Sequence, residues 1–325
     1  MLRFPLFAAL VWYHWVIIGV GALLIAGLIF SIILTMYIAR EVYFHTLAKR
    51  SDAEWGRVCS APDNPEQMEM WNQGLAWGKE NEQYKKEVTI NSKDGLKLFG
   101  EFFDFGSDKT AIVLSGRCEC AWYGYYYAFP YHKAGYNVLV IDGRAHGLSE
   151  GRYSTVGILE SEDTIEWMKY LKEKHAQKSF VLHCICIGGS TGILAAKTDF
   201  GKENVSKIII DGGFVSFKES YKQHYVAQGH ALFPVYYEIW IWFRHYTGVS
   251  VNRSNPLKEI KNIKAPVLFI YSKKDIYSLP EKGQQLFDAC PTEKEIKWFE
   301  EGKHSHVRYA NPEEYDQTIV DFISK

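Results

Sequence analysis

Between Phe4 and Ala39 the chain carries no Asp, Glu, Lys or Arg, and from Leu10 to Ile38 it is nearly all apolar. Such a run must be buried in protein or sit in lipid, because a water-facing apolar surface of that size is not tolerated. A membrane-spanning helix needs about 20 apolar residues, and this stretch is long enough to cross a bilayer with some tilt. Trp12, Tyr13 and Trp15 at one end and Tyr37 at the other suit the aromatic belts of the two interfaces. A cleaved leader has a shorter apolar core, roughly 7 to 15 residues, followed by a small-residue cleavage site. Here the run continues into AREVYFH without such a site, so a single-pass, uncleaved membrane anchor over residues 1 to 40 is expected. Arg3 stands on one side against Arg40, Lys49 and Arg50 on the other, which tips the positive-inside balance toward a cytoplasmic C-terminal part.

The chain as a whole is balanced in charge, with 37 Lys+Arg against 38 Asp+Glu and no basic stripe. That excludes nucleic acid as the main partner, since phosphate binding needs a clustered positive surplus. Six cysteines in 325 residues are too few for a disulfide scaffold. Residues 41 to 84 are polar and mixed, with Pro62 and Pro65, and read as a juxtamembrane connector with short helices. From 85 to 325, short β-branched runs alternate with helical patterns, the signature of an α/β domain with a mostly parallel sheet. Eight strands are predicted: 87–92, 96–103, 110–115, 137–142, 180–185, 207–211, 266–272 and 295–299, with helices at 161–174 and 191–197. An aromatic-rich segment, about 213–255, interrupts the rhythm.

Three short signals bear on chemistry. The strand FVLHCI runs directly into CIGGSTGILAAK, a small-residue turn and then a helix, the context of a nucleophile elbow with Cys186 at its tip. A thiol there would face the positive end of the helix, which favours the reactive thiolate. A literal G-x-S-x-G over residues 188–192 offers a competing register with Ser190 as the nucleophile. Asp275 follows the strand PVLFIYS, and His304 follows EIKWF. Nucleophile, acid and histidine in that order, each just after a strand, form the set needed for covalent acyl transfer. His304 would move the proton and Asp275 would hold its tautomer, while the backbone N–H groups of Ile187 and Arg117 would supply an oxyanion hole.

Over residues 87 to 325 the chain resembles the α/β-hydrolase fold, closest to bacterial membrane-anchored hydrolases of the cell-surface, serine-aminopeptidase-like group. The resemblance rests on SKDGLKLFGEFF, IDGRAHGLSEGRY, VLHCICIGG, IIIDGGFVS, APVLFIYSKKD and the EGKHSH turn. It implies an eight-stranded sheet with helices on both faces, and a helical cap formed by 213–255 over the active site. The chain departs from that group where chemistry occurs: Cys184 and Cys186 replace the first glycine and the serine of Gly-x-Ser-x-Gly, and Ser115-Gly116 replaces His-Gly. Cysteine at the elbow is also found in dienelactone hydrolases of this fold.

The expected activity is therefore hydrolysis of an ester or thioester by a Cys-His-Asp triad, on a small acyl substrate of apolar character. The alternatives are an inactive relative that binds a lipid or acyl ligand, and a serine hydrolase or peptidase using Ser190. No cofactor or metal is called for by any motif. His183 reads as a packed core histidine, His306 as a neighbour of the base, Asp211 as a rival acid, and Arg144 and His146 as loop supports. Cys118-x-Cys120 and Cys184-x-Cys186 would meet at one end of the sheet, where a reversible disulfide or a soft-metal site is conceivable.

Overall fold

The computed structural model describes residues 12–325, so Arg3, Leu10 and Val11 lie outside the described residues, as does the side chain of Trp12. Eight strands form one sheet: β1 (Lys85–Asn91), β2 (Lys97–Phe103), β3 (Lys109–Leu114), β4 (Asn137–Ile141), β5 (Ser179–Ile185), β6 (Val205–Asp211), β7 (Val267–Ser272) and β8 (Lys294–Phe299). Each sequence-predicted strand is present to within two residues at either end. Their spatial order is β1-β2-β4-β3-β5-β6-β7-β8. β2 runs antiparallel to both β1 and β4, and every later pair is parallel. Central strands such as Val-Leu-Val in β4 and Ile-Ile-Ile in β6 are apolar at every position because both faces of a parallel sheet are covered. β3 continues to β4 on one side and the chain then returns to β5 on the other. That reversal opens a crevice at the carboxyl ends of β3 and β5, where ligands bind in open α/β sheets.

Eight helices matter to the site: α1 (Trp12–Leu47), α2 (Pro65–Glu80), α3 (Ile158–His175), α4 (Gly188–Ala196), α5 (Phe217–Ala227), α6 (Val235–Thr247), α7 (Pro280–Ala289) and α8 (Pro312–Ser324). One face of the sheet is covered by α3, α4 and α7 through Trp167, Ile193 and Leu286, and the other by α2 and α8 through Trp71 and Ile319. The fold is the mostly parallel eight-stranded α/β-hydrolase arrangement with helices on both faces. α5 and α6 fall within the 213–255 interruption and form the expected cap.

Two features differ from the sequence-based expectation. The N-terminal helix does not stop near residue 40 but runs unbroken to Leu47. Its outer part is long and apolar enough to cross a membrane, and no residue of that most apolar stretch is buried. Its last turns, in contrast, are inside the protein: Ala39, Tyr43 and Leu47 are fully buried against the cap. The stretch 41–84 is likewise more than a connector, because Met70, Trp71 and Trp77 of α2 belong to a core cluster on the sheet. Pro65 sits in the first turn of α2 and the Asn64 side chain caps it by accepting from the N–H of Glu66 at 3.1 Å.

Trp77 packs on Phe103 and Tyr125 with ring centroids 4.9 and 6.0 Å away. Trp77→Ala is therefore expected to lower unfolding stability by about 3 to 5 kcal/mol, the usual loss for a large buried aromatic. Denaturant melts of the full chain in detergent check this, and a loss within about 0.5 kcal/mol, typical of surface positions, would show that α2 is not part of the core.

Candidate active site

The end of β5 turns sharply into α4. Gly188, the first residue of the helix, lies so close to β3 that a Cβ on it would stand 2.1 Å from the Leu114 carbonyl oxygen. Only glycine allows that approach, and it lifts Cys186 to the tip of the turn. Cys186 has φ +54°, a left-handed conformation that strains any residue with a Cβ. Its N–H donates to the Asp211 carbonyl at 2.9 Å, and its own carbonyl accepts from Gly189 at 3.0 Å. The glycine missing at position 184 is replaced in trade: the Cys184 sulfur fills the space at Gly192, where a Cβ would meet it at 2.3 Å. Ser190 lies in the first turn of α4, fully buried, with its hydroxyl 2.9 Å from that of Ser254. It faces the core, away from the cavity.

The other two candidates arrive from neighbouring strand ends. Asp275 is buried after β7, and one carboxylate oxygen accepts from the N–H groups of Tyr277 and Ser278 at 2.7 and 2.8 Å. The second oxygen lies 2.8 Å from His304 Nδ1. A carboxylate only accepts, so Nδ1 carries the proton and the ring presents its far nitrogen. The imidazole and the Cys186 thiol line the same cavity. Burial pulls against its charge, yet the sulfur and the Asp275 carboxylate together hold the imidazole well above the ordinary histidine range. The structure thus gathers Cys186 and His304 on one cavity, with Asp275 bonded behind the imidazole.

The loop after β3 closes the other side. A Cβ on Gly116 would be 3.6 Å from that of Cys186, so the loop passes directly beside the elbow. The N–H groups of Arg117 and Ile187 have no hydrogen-bond partner among the described residues, whereas that of Gly116 donates to Glu119 at 2.8 Å. Glu119 went unrecognised in the sequence, where nothing separates it from an ordinary turn glutamate. Burial pushes its carboxyl up to about 7, with the Gly116 N–H pulling the other way.

The remaining candidates are structural. His146 stacks on Trp55 at 4.5 Å, bonds the Arg144 carbonyl through Nδ1 at 2.9 Å, and accepts from the Cys118 N–H through Nε2 at 3.1 Å. Arg144 is buried between Asp94 and Asp163, at 2.9 and 2.8 Å. His183 is buried beside the Tyr315 hydroxyl at 3.1 Å, and burial lowers it to about 3. Asp211 accepts from the same hydroxyl at 2.7 Å, with no hydrogen bond to His304, and burial raises it to about 6. His306 bonds the His304 carbonyl at 2.7 Å. All the cysteines are free thiols, and the two C-x-C pairs do not converge as four sulfurs: Cys184 belongs to the core on one face of the sheet and Cys120 to that on the other. No cluster suited to a metal ion occurs among the described residues.

A cavity of about 280 Å³ opens above Cys186 and His304. Phe214, Phe217, Tyr221 and Tyr225 line its cap side, as the aromatic insertion led one to expect, and Thr46 and Leu47 of α1 complete the wall. That wall was not foreseen.

No family model matches the chain. An uncharacterised protein of Bacillus subtilis (strain 168), YqkD, is 27% identical over 219 residues, which cover 66% of this chain and 70% of that protein. Among solved structures, the Pyrococcus furiosus esterase Pf2001 superposes with a TM-score of 0.62 at 25% identity, over 76% of this chain and 93% of that one. The Exiguobacterium antarcticum esterase EaEST gives 0.55 at 16% identity, over 74% and 100%. A Bacillus anthracis bromoperoxidase gives 0.53 at 15%, over 74% and 100%, a likeness of fold.

Glu119 gives this site a pH signature. Its native pKa is raised from 4.5 to about 7, so the folded protein holds a proton there that the unfolded chain releases. That contribution destabilises the fold increasingly as pH rises from about 4.5 to 7, and is constant above. Glu119→Gln, which can still accept from Gly116, should match wild type in Tm near the lower limit and exceed it above the upper one. A Tm difference that does not change with pH would show the carboxylate to be solvated.

Proposed function

We propose that the protein is a single-pass membrane-anchored hydrolase that cleaves an ester or thioester through a Cys186-His304-Asp275 triad. The observation that carries this reading is the position of His304, bonded to Asp275 at 2.8 Å and lining the same cavity as Cys186. The esterases among its structural neighbours support hydrolysis as the reaction class, and the exposed apolar helix supports the anchor.

The chemistry follows from the groups present. His304 takes the Cys186 proton, and the thiolate attacks the acyl carbonyl, forming a sulfur–carbon bond while the carbonyl π electrons move to oxygen. The unpartnered N–H groups of Ile187 and Arg117 receive that oxyanion. Collapse breaks the bond to the leaving alcohol or thiol, which takes the proton from His304. Water then gives a proton to His304 and attacks the thioacyl group, and the imidazolium returns the proton to Cys186 as the acid departs. Asp275 stays ionised throughout and fixes the ring's orientation. Activated acyl groups suit a cysteine, because the thioacyl intermediate is itself reactive toward water. On the positive-inside count the hydrolase domain faces the cytoplasm.

Cys186→Ala should abolish hydrolysis of a water-soluble ester such as p-nitrophenyl acetate by the full chain in detergent. His304→Ala should lower turnover by about 10²- to 10⁴-fold, the usual contribution of a general base. Iodoacetamide labelling of Cys186 near neutral pH, with Cys186→Ala as background, should also slow in the His304 variant. Equal labelling of wild type and His304→Ala would overturn the pairing.

A further inference from the structure

The cap and the N-terminal helix are packed side by side, and their register fixes where the cap lies relative to a membrane. Thr35 donates to Glu238 at 3.0 Å, the Trp242 indole donates to the Met36 carbonyl at 2.8 Å, and Arg40 donates to the Tyr246 hydroxyl at 2.9 Å. Position rises along both helices together, so α1 and α6 run parallel. The start of α6 therefore points toward the exposed apolar part of α1. That part, Tyr13 to Leu34, is about 33 Å long at the helical rise, matching the hydrocarbon thickness of a bilayer. It ends just where the Thr35–Glu238 contact begins.

Tyr237 and Ile241, about one turn apart on α6, are 51% and 55% exposed, and Phe233, two residues before the helix begins, is 81% exposed. None lines the cavity. By the register above, Phe233 lies beyond the level of Thr35 on the membrane side, with Tyr237 close to that level. These three residues continue the apolar surface of α1 sideways along the interface.

The cavity points the same way. It is lined by α5 from Phe217, beside the elbow, through Tyr221 and Tyr225 to Gln228, about 16 Å of helix. Gln228 is where α5 ends and the short connection to Phe233 and α6 begins. The far end of the cavity is thus at the membrane-side edge of the cap, while Thr46 and Leu47 form the wall nearest the sheet. His224, with Nε2 buried and unpartnered, lines the cavity between these ends.

We infer that the cap rests in the bilayer interface through Phe233, Tyr237 and Ile241, and that the substrate is a membrane lipid ester whose acyl chain passes from the bilayer along α5 to Cys186. This rests on the proposed acyl-transfer reading. Lipid would reach the thiol without crossing water, and the unpartnered His224 nitrogen offers a hydrogen bond to the ester or headgroup as it arrives.

The test uses the full chain reconstituted in phosphatidylcholine vesicles containing a fluorogenic acyl phospholipid, beside p-nitrophenyl acetate in the surrounding water. Wild type should cleave both. Phe233→Ser with Ile241→Ser should lower cleavage of the vesicle lipid about tenfold, by removing two apolar interface contacts, while acetate ester hydrolysis is unchanged. Ile241→Ser alone, on an exposed helix face, should give a smaller loss of the same kind. Cleavage of acetate ester but never of vesicle lipid overturns this inference and leaves the acyl-transfer reading intact. So do equal lipid rates in wild type and variant, a parallel loss of both activities, or conversion of a dimer to a monomer, which would make the face a contact between copies. Cleavage of neither substrate by wild type overturns the acyl-transfer reading and this inference together.

Discussion

The contact of Gly188 with the Leu114 carbonyl is the constraint from which the site is built. Because a Cβ there would stand 2.1 Å from that oxygen, α4 can begin hard against β3 and aim its first turn across the ends of the strands. Cys186 is then forced into a left-handed conformation at the tip. The strain, on the order of 1 to 2 kcal/mol for a residue with a Cβ, is tolerated because strand and helix are held on either side by a fully buried core. The same turn places the thiol at the reversal in strand order, within reach of loops that follow β3, β7 and β8. Asp275 and His304 need no special geometry of their own. They stand at the ends of adjacent parallel strands, and the β7–β8 register sets their separation.

The N-terminal helix obeys two different solvents along its length. From Trp15 to Leu34 its side chains are almost all exposed and, apart from Ser31, apolar, and none is buried. From Ala39 to Leu47 the buried residues Ala39, Tyr43 and Leu47 pack into the cluster that also holds Ile187, Phe214 and Trp240. One continuous helix therefore joins the apolar segment to the wall of the cavity without a flexible joint. Arg117 strengthens that join by donating to the Thr46 carbonyl at 3.3 Å, which ties the loop beside the elbow to the last turn of α1.

The strands were legible in the sequence because a parallel sheet buries both faces, and runs such as IIID or VLFIYS have few other uses. The elbow was legible for a related reason: small residues directly after a buried strand leave only a tight turn. Between the two registers the sequence offered, the gap-free match to the resembled fold puts Cys186 on the turn and Ser190 in the first turn of the helix, and in the structure Ser190 is buried against Ser254. What could not be read were the long-range partners. Trp71 and Trp77 sit among polar neighbours whose periodicity is weak, so their burial becomes visible only once Phe103 and Tyr125 are seen opposite them. The continuation of α1 beyond residue 40 was masked by Arg40 and Glu41, which pair with each other at 2.9 Å while the opposite side of the helix is buried. Glu119 carries no local mark at all. Its character comes from the loop that folds over it.

That loop shows how a mobile-looking segment can present fixed donors. Between Ser115 and Ala121 it has no regular ladder, yet three acceptors hold it at successive points. Glu119 takes the Gly116 N–H, His146 takes that of Cys118, and Asp142 takes that of Ala121 at 2.7 Å. Asp142 in turn is held by Arg57 at 3.0 Å, and Arg57 also binds Glu101 at 2.8 Å. Buried charges of this kind add little net stability, since desolvation offsets most of their attraction. What they supply is position: the Arg117 N–H lies in a loop held by hydrogen bonds on either side of it. The neutral imidazole of His146, kept uncharged by burial, is needed for the same reason, because only an unprotonated Nε2 can accept from Cys118.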